Sequence, residues 1–297
     1  MNLYVGYDIG GTSIKSAIID QKRTILYQDS VATYGLHDPL HTIKALMEQT
    51  KTFIAERKGS LTAIGIGCTG PVNRKTGAIH NPYTLPGYEG VNIKTMMETE
   101  FEVPVICEND ANAAHVGEAS MMDPAVPNSI MITFGTGIGV SVRLGGKLFR
   151  LPGPFHPEIG HISVGVGSPD LCYCNKSHCF EHVMSGSGIN RYAMDTYGQS
   201  PEEVLKNPDS EQYRKFLARM VDATTEAIIT LSILFNPEVV FIGGGMHLFI
   251  CRYVMGPVQE RLDTLLPVYG KTVLKDSQIG PLAGCYGAAM LATGQSG

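Results

Sequence analysis

A chain of 297 residues with 43 % hydrophobic and 17 % charged side chains holds enough apolar material for one full core or two modest ones, which excludes disordered, collagen-like and low-complexity classes. Its 23 Lys and Arg against 28 Asp and Glu leave a formal charge of −5 with no long run of either sign, so no nucleic-acid partner is expected and small-molecule chemistry moves ahead. No apolar stretch approaches the roughly 20 residues of a membrane span, and the chain opens on a strand pattern rather than a secretory leader, so a cytoplasmic protein without a membrane partner is expected. In that reducing compartment, seven cysteines point to metal ligands or buried thiols rather than a disulfide framework.

Leu3–Tyr7 reads as a buried strand, a Gly-rich turn follows, and Lys15–Asp20 with Ala17, Ile18 and Ile19 reads as a second strand, so a hairpin opens the chain. Pro39–Arg57 sets Leu40, Ile43, Leu46, Met47 and Ile54 at helical spacing, and Thr62–Cys68 returns to a strand. A helix at Asn92–Phe101, a strand at Val103–Cys107 and a helix after Asp110 continue the alternation that parallel α/β folds require. The pattern breaks at Pro124-Ala125-Val126-Pro127-Asn128, which sets a boundary near residue 120, with an N-terminal α/β domain of residues 1–120 and a larger C-terminal α/β domain of residues 121–297. The second half again opens with a strand, Ile130–Phe134, and a Gly-rich turn. A long helix at Glu211–Phe235 then precedes a strand at Val239–Ile242 and three glycines. Ala288–Leu291 marks a last helix, residues 282–294, expected to pack back onto the first domain.

Three glycine turns carry the first chemical signal. In Asp8-Ile9-Gly10-Gly11-Thr12-Ser13, the absence of Cβ atoms lets backbone N–H groups close on phosphate oxygens, and Thr12 adds a hydroxyl donor. A Gly-Gly turn in a hairpin is often only a turn. Here Phe134-Gly135-Thr136-Gly137-Ile138-Gly139 repeats the arrangement at the head of the second half, and Gly243-Gly244-Gly245 follows a third strand. Two opposed phosphate turns point to a nucleotide held in a cleft between two domains.

These turns, together with Glu108-Asn109-Asp110-Ala111-Asn112-Ala113-Ala114 and Glu158-Ile159-Gly160-His161 in the same order, resemble the ROK family of bacterial repressors, open-reading-frame proteins and sugar kinases over nearly the whole chain. The resemblance implies the two-domain fold of the actin, Hsp70 and hexokinase ATPases, and an ATP-dependent sugar kinase using ATP with Mg²⁺. It assigns Gly10, Gly11, Thr12, Gly135, Thr136 and Gly137 to the phosphates and Gly244 and Gly245 to the adenosine side. Asp8 would orient the waters of the metal. From the residues alone Asp110 is an N-cap of the helix that follows; the resemblance makes it the general base that takes a proton from a sugar hydroxyl attacking the γ-phosphate. The family usually has Lys directly after the Thr of the first turn, where this chain has Ser13, with Lys15 two residues on.

His161, Cys172, Cys174 and Cys179 form a His-x10-Cys-x-Cys-x4-Cys series that fits one tetrahedral zinc, and a closed Cys3His site of this kind is structural rather than catalytic. Buried thiols are the alternative, but Asn175, Lys176 and Ser177 make the loop too polar for a core. Many family members have Cys-x-Cys-Gly-x-x-Gly-Cys-x-Glu where this chain has Cys172–Glu181, so both family glycines are replaced, by Asn175 and His178, and His178 competes as a fourth ligand. The resemblance gives Asn81, Asn109, Asp110, Glu158, His161 and Glu181 as partners of the sugar hydroxyls, with His161 able to serve metal and sugar through its two ring nitrogens. Asn81-Pro82 is also a good turn, Glu158 a possible surface charge, and Glu181 a possible helix start.

His80-Asn81-Pro82-Tyr83-Thr84-Leu85-Pro86-Gly87-Tyr88 resembles the loop of members that phosphorylate the 6-hydroxyl of aldohexoses, glucose or N-acetylated hexosamines, whereas His156-Pro157-Glu158 resembles the fructokinase branch. An aldohexose is the first expectation and fructose the second. A sugar-sensing regulator without catalysis is the reading from another class. With Asp8 eight residues from the first residue, the helix-turn-helix domain of family repressors is not expected. Family members are commonly dimers, so a homodimer is expected.

Overall fold

The strands of the first unit follow from apolar runs whose two faces are both covered. In this unit, residues 1–125, 146–157 and 281–297 of the computed structural model, β1 (Asn2–Ile9) and β2 (Ser13–Asp20) pair antiparallel as the opening hairpin. Strand β3 (Ile25–Ala32) pairs with β2, while β4 (Ser60–Cys68) and β5 (Val105–Asn109) run parallel to β1 on its other side, giving the order β3-β2-β1-β4-β5. Helices α1 (Pro39–Arg57) and α2 (Ile93–Phe101) occupy the crossovers, and α3 (Asp110–Ser120) leaves β5 directly. Leu3, Val5, Tyr7, Ile64 and Ile66 meet Ile43, Leu46 and Met47 of α1 and Ile93 and Met97 of α2 in one core. Strand β3 escapes the sequence reading because it is an edge: its residues are exposed or half-buried, and its apolar run is only Ile25-Leu26-Tyr27 before Gln28, Asp29 and Ser30. Strand β5 starts later than expected, after Pro104, which has no N–H for the ladder.

The second unit, residues 126–145 and 158–280, is built on β6 (Ser129–Phe134), β7 (Ile138–Leu144), β8 (Val239–Gly243) and β9 (Val273–Asp276), which lie side by side in the order β9-β8-β6-β7. Strands β6 and β7 form an antiparallel hairpin, whereas β6, β8 and β9 run parallel. Helices α4 (Phe180–Met184), α5 (Gly186–Tyr197), α6 (Glu211–Phe235) and α7 (Gly256–Leu265) belong to this unit. Ser210 caps α6 by accepting the Tyr213 N–H, and Asn236 ends it in the left-handed region, so the long helix has the bounds its periodicity sets.

The chain ends on α8 (Ala283–Ala292), which returns to the first unit and packs on β1, β4 and α3. Every residue of α8 is buried, which explains why its sequence is apolar all round. Its close seating depends on glycine: a Cβ at Gly65 would strike the carbonyl of Ala288, and one at Gly287 would strike that of Ala113. The structure describes residues 1–34, 39–82, 84–122, 126–265 and 271–294. Pro124 and Ala125 of the sequence break, and Tyr83 of the Asn81 loop, lie outside the described residues. No helix among them is long and apolar enough to cross a membrane.

Candidate active site and metal centre

Parallel pairing decides where the functional residues of the first unit gather. Strands β1, β4 and β5 end at one edge, with Ile9 opposite Cys68 and Cys68 opposite Asn109, so Asp8 near the end of β1, Thr69 just past β4 and Asp110 just past β5 gather there. The cap of α3 is Asn109, whose Oδ1 accepts from the N–H groups of Ala111 (3.0 Å) and Asn112 (3.3 Å). This displaces the N-cap reading of Asp110 by one residue. Asp110 is the first helical residue, and its Oδ1 accepts the Ala111 N–H at 2.8 Å. Desolvation raises the Asp110 pKa above the ordinary carboxylate value, against hydrogen bonds from Ala111, Asn109 and Thr69 that lower it. Asp8 is pushed up to about 7, by desolvation first and by the charge of Asp110 second, with Lys15 opposing. Lys15 stands directly across the hairpin from Asp8. Burial is thus the main cause in both carboxyls, and the charge of Asp110 adds to it at Asp8.

Two residues here carry no signal in the sequence. Thr69 donates to Asp110 from the end of β4. Gly284 opens α8 against Asp8, and a Cβ there would sit 2.5 Å from Cγ and Oδ2 of that carboxylate. In the first turn, the Gly10 N–H reaches the Ser13 carbonyl at 3.1 Å, while Thr33 Oγ1 donates to the Gly10 carbonyl at 2.6 Å. Gly11 has no room for a side chain, since a Cβ would come 2.7 Å from the Thr84 carbonyl. Thr12 lies exposed beside it. The Asn81 loop therefore rests on the glycine turn. Asn81 is buried, and its amide serves its own turn: Oδ1 accepts the Thr84 N–H at 2.9 Å, and Nδ2 donates to Thr84 Oγ1 and the Gly70 carbonyl.

In the second unit β6 and β8 are parallel neighbours, with Thr133 opposite Gly243, so the turns Gly135–Gly137 and Gly244–Gly245 follow from adjacent strand ends. Gly244 adopts φ +86°, and a Cβ there would meet the Phe134 backbone within 2.7 Å at its nitrogen. The Gly186 N–H donates to the Gly135 carbonyl at 2.8 Å, tying the start of α5 to the same turn. Thr136 is exposed at its tip. Glu181 Oε2 accepts the Ile138 N–H at 3.0 Å, so this residue of α4 also reaches the turn.

The loop between β7 and α5 brings the four expected metal ligands together. One donor atom each from His161, Cys172, Cys174 and Cys179 lies within 4.8 Å of the others. His161 Nδ1 faces Cys179 Sγ at 3.1 Å and Cys172 Sγ at 3.6 Å, so one ring nitrogen looks into the thiols. Burial first, and neighbouring thiols after it, push the Cys172 and Cys179 thiols up. Three soft donors and an imidazole at this spacing fit tetrahedral zinc, which would lower those thiols again. Asn175, which stands where many family members have glycine, takes φ +62° in the left-handed region, and its N–H closes on the Cys172 carbonyl at 2.8 Å. His178 turns Nδ1 toward Ser177 Oγ at 3.4 Å and is outside the cluster.

The other nitrogen of His161, Nε2, meets the Tyr173 hydroxyl at 2.6 Å and lies 3.7 Å from Glu181 Oε1. Glu158 is exposed at the head of the short turn Ile159–His161, and its charge together with that of Glu181 acts on Tyr173, whose pKa burial raises first. Glu158, His161, Tyr173 and Glu181 thus form one polar cluster beside the metal ligands. Tyr173 carries no signal of its own beyond its place between two of the cysteines.

The chain that carries these carboxylates, glycine turns and cysteine-rich loop is similar to known proteins along nearly its whole length. The ROK family profile matches residues 4–295, and the chain belongs to the ROK family. Over 98 % of both chains it is 32 % identical to a glucokinase of Streptomyces coelicolor. The crystal structure of a ROK hexokinase from Thermus thermophilus superposes with a TM-score of 0.83 at 27 % identity over 98 % of each chain. A ROK glucokinase from Streptomyces griseus, solved with glucose and AMPPNP, does so at 0.78 and 26 %, covering 98 % of this chain and 99 % of its own. The fold is the actin- and hexokinase-like ATPase fold.

Proposed function

We propose that this protein is an ATP-dependent sugar kinase that transfers the γ-phosphate to the 6-hydroxyl of an aldohexose, with glucose first and an N-acetylated hexosamine second. The kinase class is supported by the glucokinase and ROK hexokinase relatives, among them the Streptomyces griseus glucokinase structure that holds glucose and AMPPNP. The observation that carries the chemistry is Asp110, seated as the first residue of α3 with its charge acting on Asp8, and with its carboxyl pKa raised by burial above the ordinary value. In the proposed reaction Asp110 takes the hydroxyl proton as the sugar oxygen bonds to the γ-phosphorus and the bond to the β,γ-bridging oxygen breaks, releasing ADP. Mg²⁺, when bound with ATP, supplies charge neutralisation on the phosphate oxygens, and Asp8 is the carboxylate that would orient its waters. The turns of Gly10, Gly11 and Thr12 and of Gly135, Thr136 and Gly137 serve the phosphates, with the N–H groups of Gly10 and Gly135 closing the turns on the Ser13 and Gly137 carbonyls and the hydroxyls of Thr12 and Thr136 turned to the ligand, and Gly244 and Gly245 serve the adenosine side.

Asn109, Glu158, His161 and Glu181 are the proposed partners of the sugar hydroxyls. Asn81 would act through the shape of its loop as much as by direct contact, because its amide is already spent on Thr84 and Gly70. Zinc held by His161, Cys172, Cys174 and Cys179 would organise that pocket without entering the reaction. Fructose stays as the second reading, favoured by His156-Pro157 ahead of Glu158.

The test is ADP release from Mg·ATP against glucose, N-acetylmannosamine, N-acetylglucosamine, mannose, allose and fructose, with Asp110→Asn alongside. One aldohexose should turn over, and Asp110→Asn should lower kcat by about 10²–10⁴ with sugar affinity retained. A variant keeping a tenth or more of the activity removes Asp110 from the role of base. Turnover of fructose alone would replace the aldohexose, and ATP binding without any turnover would turn the reading to a sensor.

A further inference from the structure

Glu108 has no part in the chemistry above, yet its carboxylate is buried at the end of β5, immediately before Asn109 and Asp110. A buried carboxylate is tolerated only where charge and hydrogen bonds meet it. Glu108 Oε2 accepts from Arg150 Nε at 2.8 Å, and Oε1 accepts from the Asn109 N–H and from Asn112 Nδ2, both at 3.0 Å. Arg74 Nε stands 4.0 Å from Oε1. Arg74 also donates through Nη2 to the carbonyls of Leu151 (3.2 Å) and Gly153 (2.9 Å), and its N–H reaches the Pro154 carbonyl at 3.0 Å. One carboxylate therefore joins the strand end, the first turn of α3 and the segment 150–154, and it does so at the backbone nitrogen of the residue that caps α3.

We propose that Glu108, clamped by Arg150 and backed by Arg74, is a positioning element that fixes the Asn109–Asp110 turn, and that Arg150 is a positioning residue acting on the base through Glu108 rather than on substrate. The proposal rests on the kinase reading. A base displaced by about 1 Å costs about 10²-fold in rate while leaving binding groups untouched, so the signature is a fall in kcat with little change in KM.

The experiment measures kcat, KM for sugar and ATP, and melting temperature for the wild type, Glu108→Gln, Arg150→Met, Arg150→Lys and the double variant Glu108→Gln/Arg150→Met, on the sugar the wild type turns over. Glu108→Gln keeps the Oε1 acceptor for Asn109 and Asn112 and should fold, losing about 10- to 100-fold in kcat with both KM values within about twofold. Arg150→Met should lose as much or more, Arg150→Lys should recover most of it, and the double variant should be no worse than Arg150→Met, since both remove one interaction. The proposal is overturned if Glu108→Gln and Arg150→Met keep kcat within about twofold of wild type, if KM rather than kcat moves, if the two losses add, or if Arg150→Lys loses activity only in step with its melting temperature. A wild type that turns over no sugar overturns the kinase reading, and this inference with it; an active wild type with unaffected variants overturns the inference alone.

Discussion

The turn that carries Asp110 and the loop that carries the cysteines are held in opposite ways. Asp110 leaves a strand and enters a helix at once, so ladder bonds of β5, the Asn109 cap and the Glu108 carboxylate fix it with groups the chain supplies. The loop from Gly160 to Cys179 has only one short turn of helix, and its backbone is pinned by scattered bonds such as Val164 to His178 (2.8 Å), Ser168 to Ser177 (2.7 Å) and Cys172 to Lys176 (3.0 Å). Regular structure can place a catalytic group without help. The metal ion proposed for the three thiols and the imidazole would give this irregular loop a further bond.

Removing that bond is the largest test of the contrast. Chelation, or Cys179→Ser, should lower the melting temperature by about 5–10 °C, the shift that a loss of a few kcal/mol gives in a chain of this size, and should weaken sugar binding by about tenfold or more. ATP binding should change little, because the turns that would serve it are set by strand ends. Metal content by mass spectrometry and sugar titration on the same sample check this, and sugar affinity unchanged in verified metal-free protein would break the link between loop and pocket.

The opposite strain lies at the other region, where well-ordered structure holds a carboxylate in a place it dislikes. Asp8 titrates at about 7 in the folded chain against 3.8 for its ordinary value, so between those pH values the folded state keeps a proton that the unfolded state has released. Stability falls as pH rises from about 4 to about 7 and is level above that, by linkage. Asp8→Asn should therefore stabilise the protein at pH 8 by about 1–3 kcal/mol, with no gain at pH 4, while lowering kcat. Denaturant melts at the two pH values measure it, and equal effects at both would mean Asp8 is not strained.

The sequence makes the strands and helices with covered faces legible, from Leu3–Tyr7 through Pro39–Arg57 to Glu211–Phe235, because apolar spacing records burial directly. Edge strand β3 and the four-residue β9 are hidden because half-exposed or very short strands record little of it. Among candidate site residues, Asp110 and the Cys/His series are legible through motif and spacing. Gly284, Thr69 and Arg150 are not, since each earns its place by touching a residue far away in the chain: Gly284 against Asp8, Thr69 against Asp110, Arg150 against Glu108. Asn109 shows a subtler limit, for a helix start reads from sequence only to within a residue, and here that residue decides whether Asn109 or Asp110 caps α3.

Tyr173 gives the smallest expected effect and the finest distinction. Its hydroxyl stands 2.6 Å from His161 Nε2, with Glu181 and Glu158 near enough to act on it, which is the company proposed for a sugar hydroxyl. A phenol in that company either competes with the sugar or joins it. Competition predicts that Tyr173→Phe tightens sugar binding by about two- to fivefold, since one hydrogen bond no longer has to be exchanged, with kcat near wild type. Joining predicts a weakening of similar size. Because the ring remains in both cases, zinc content and melting temperature should stay constant, so the sign of the change in sugar affinity, read by titration calorimetry, tells whether the metal loop offers the pocket a partner or a plug.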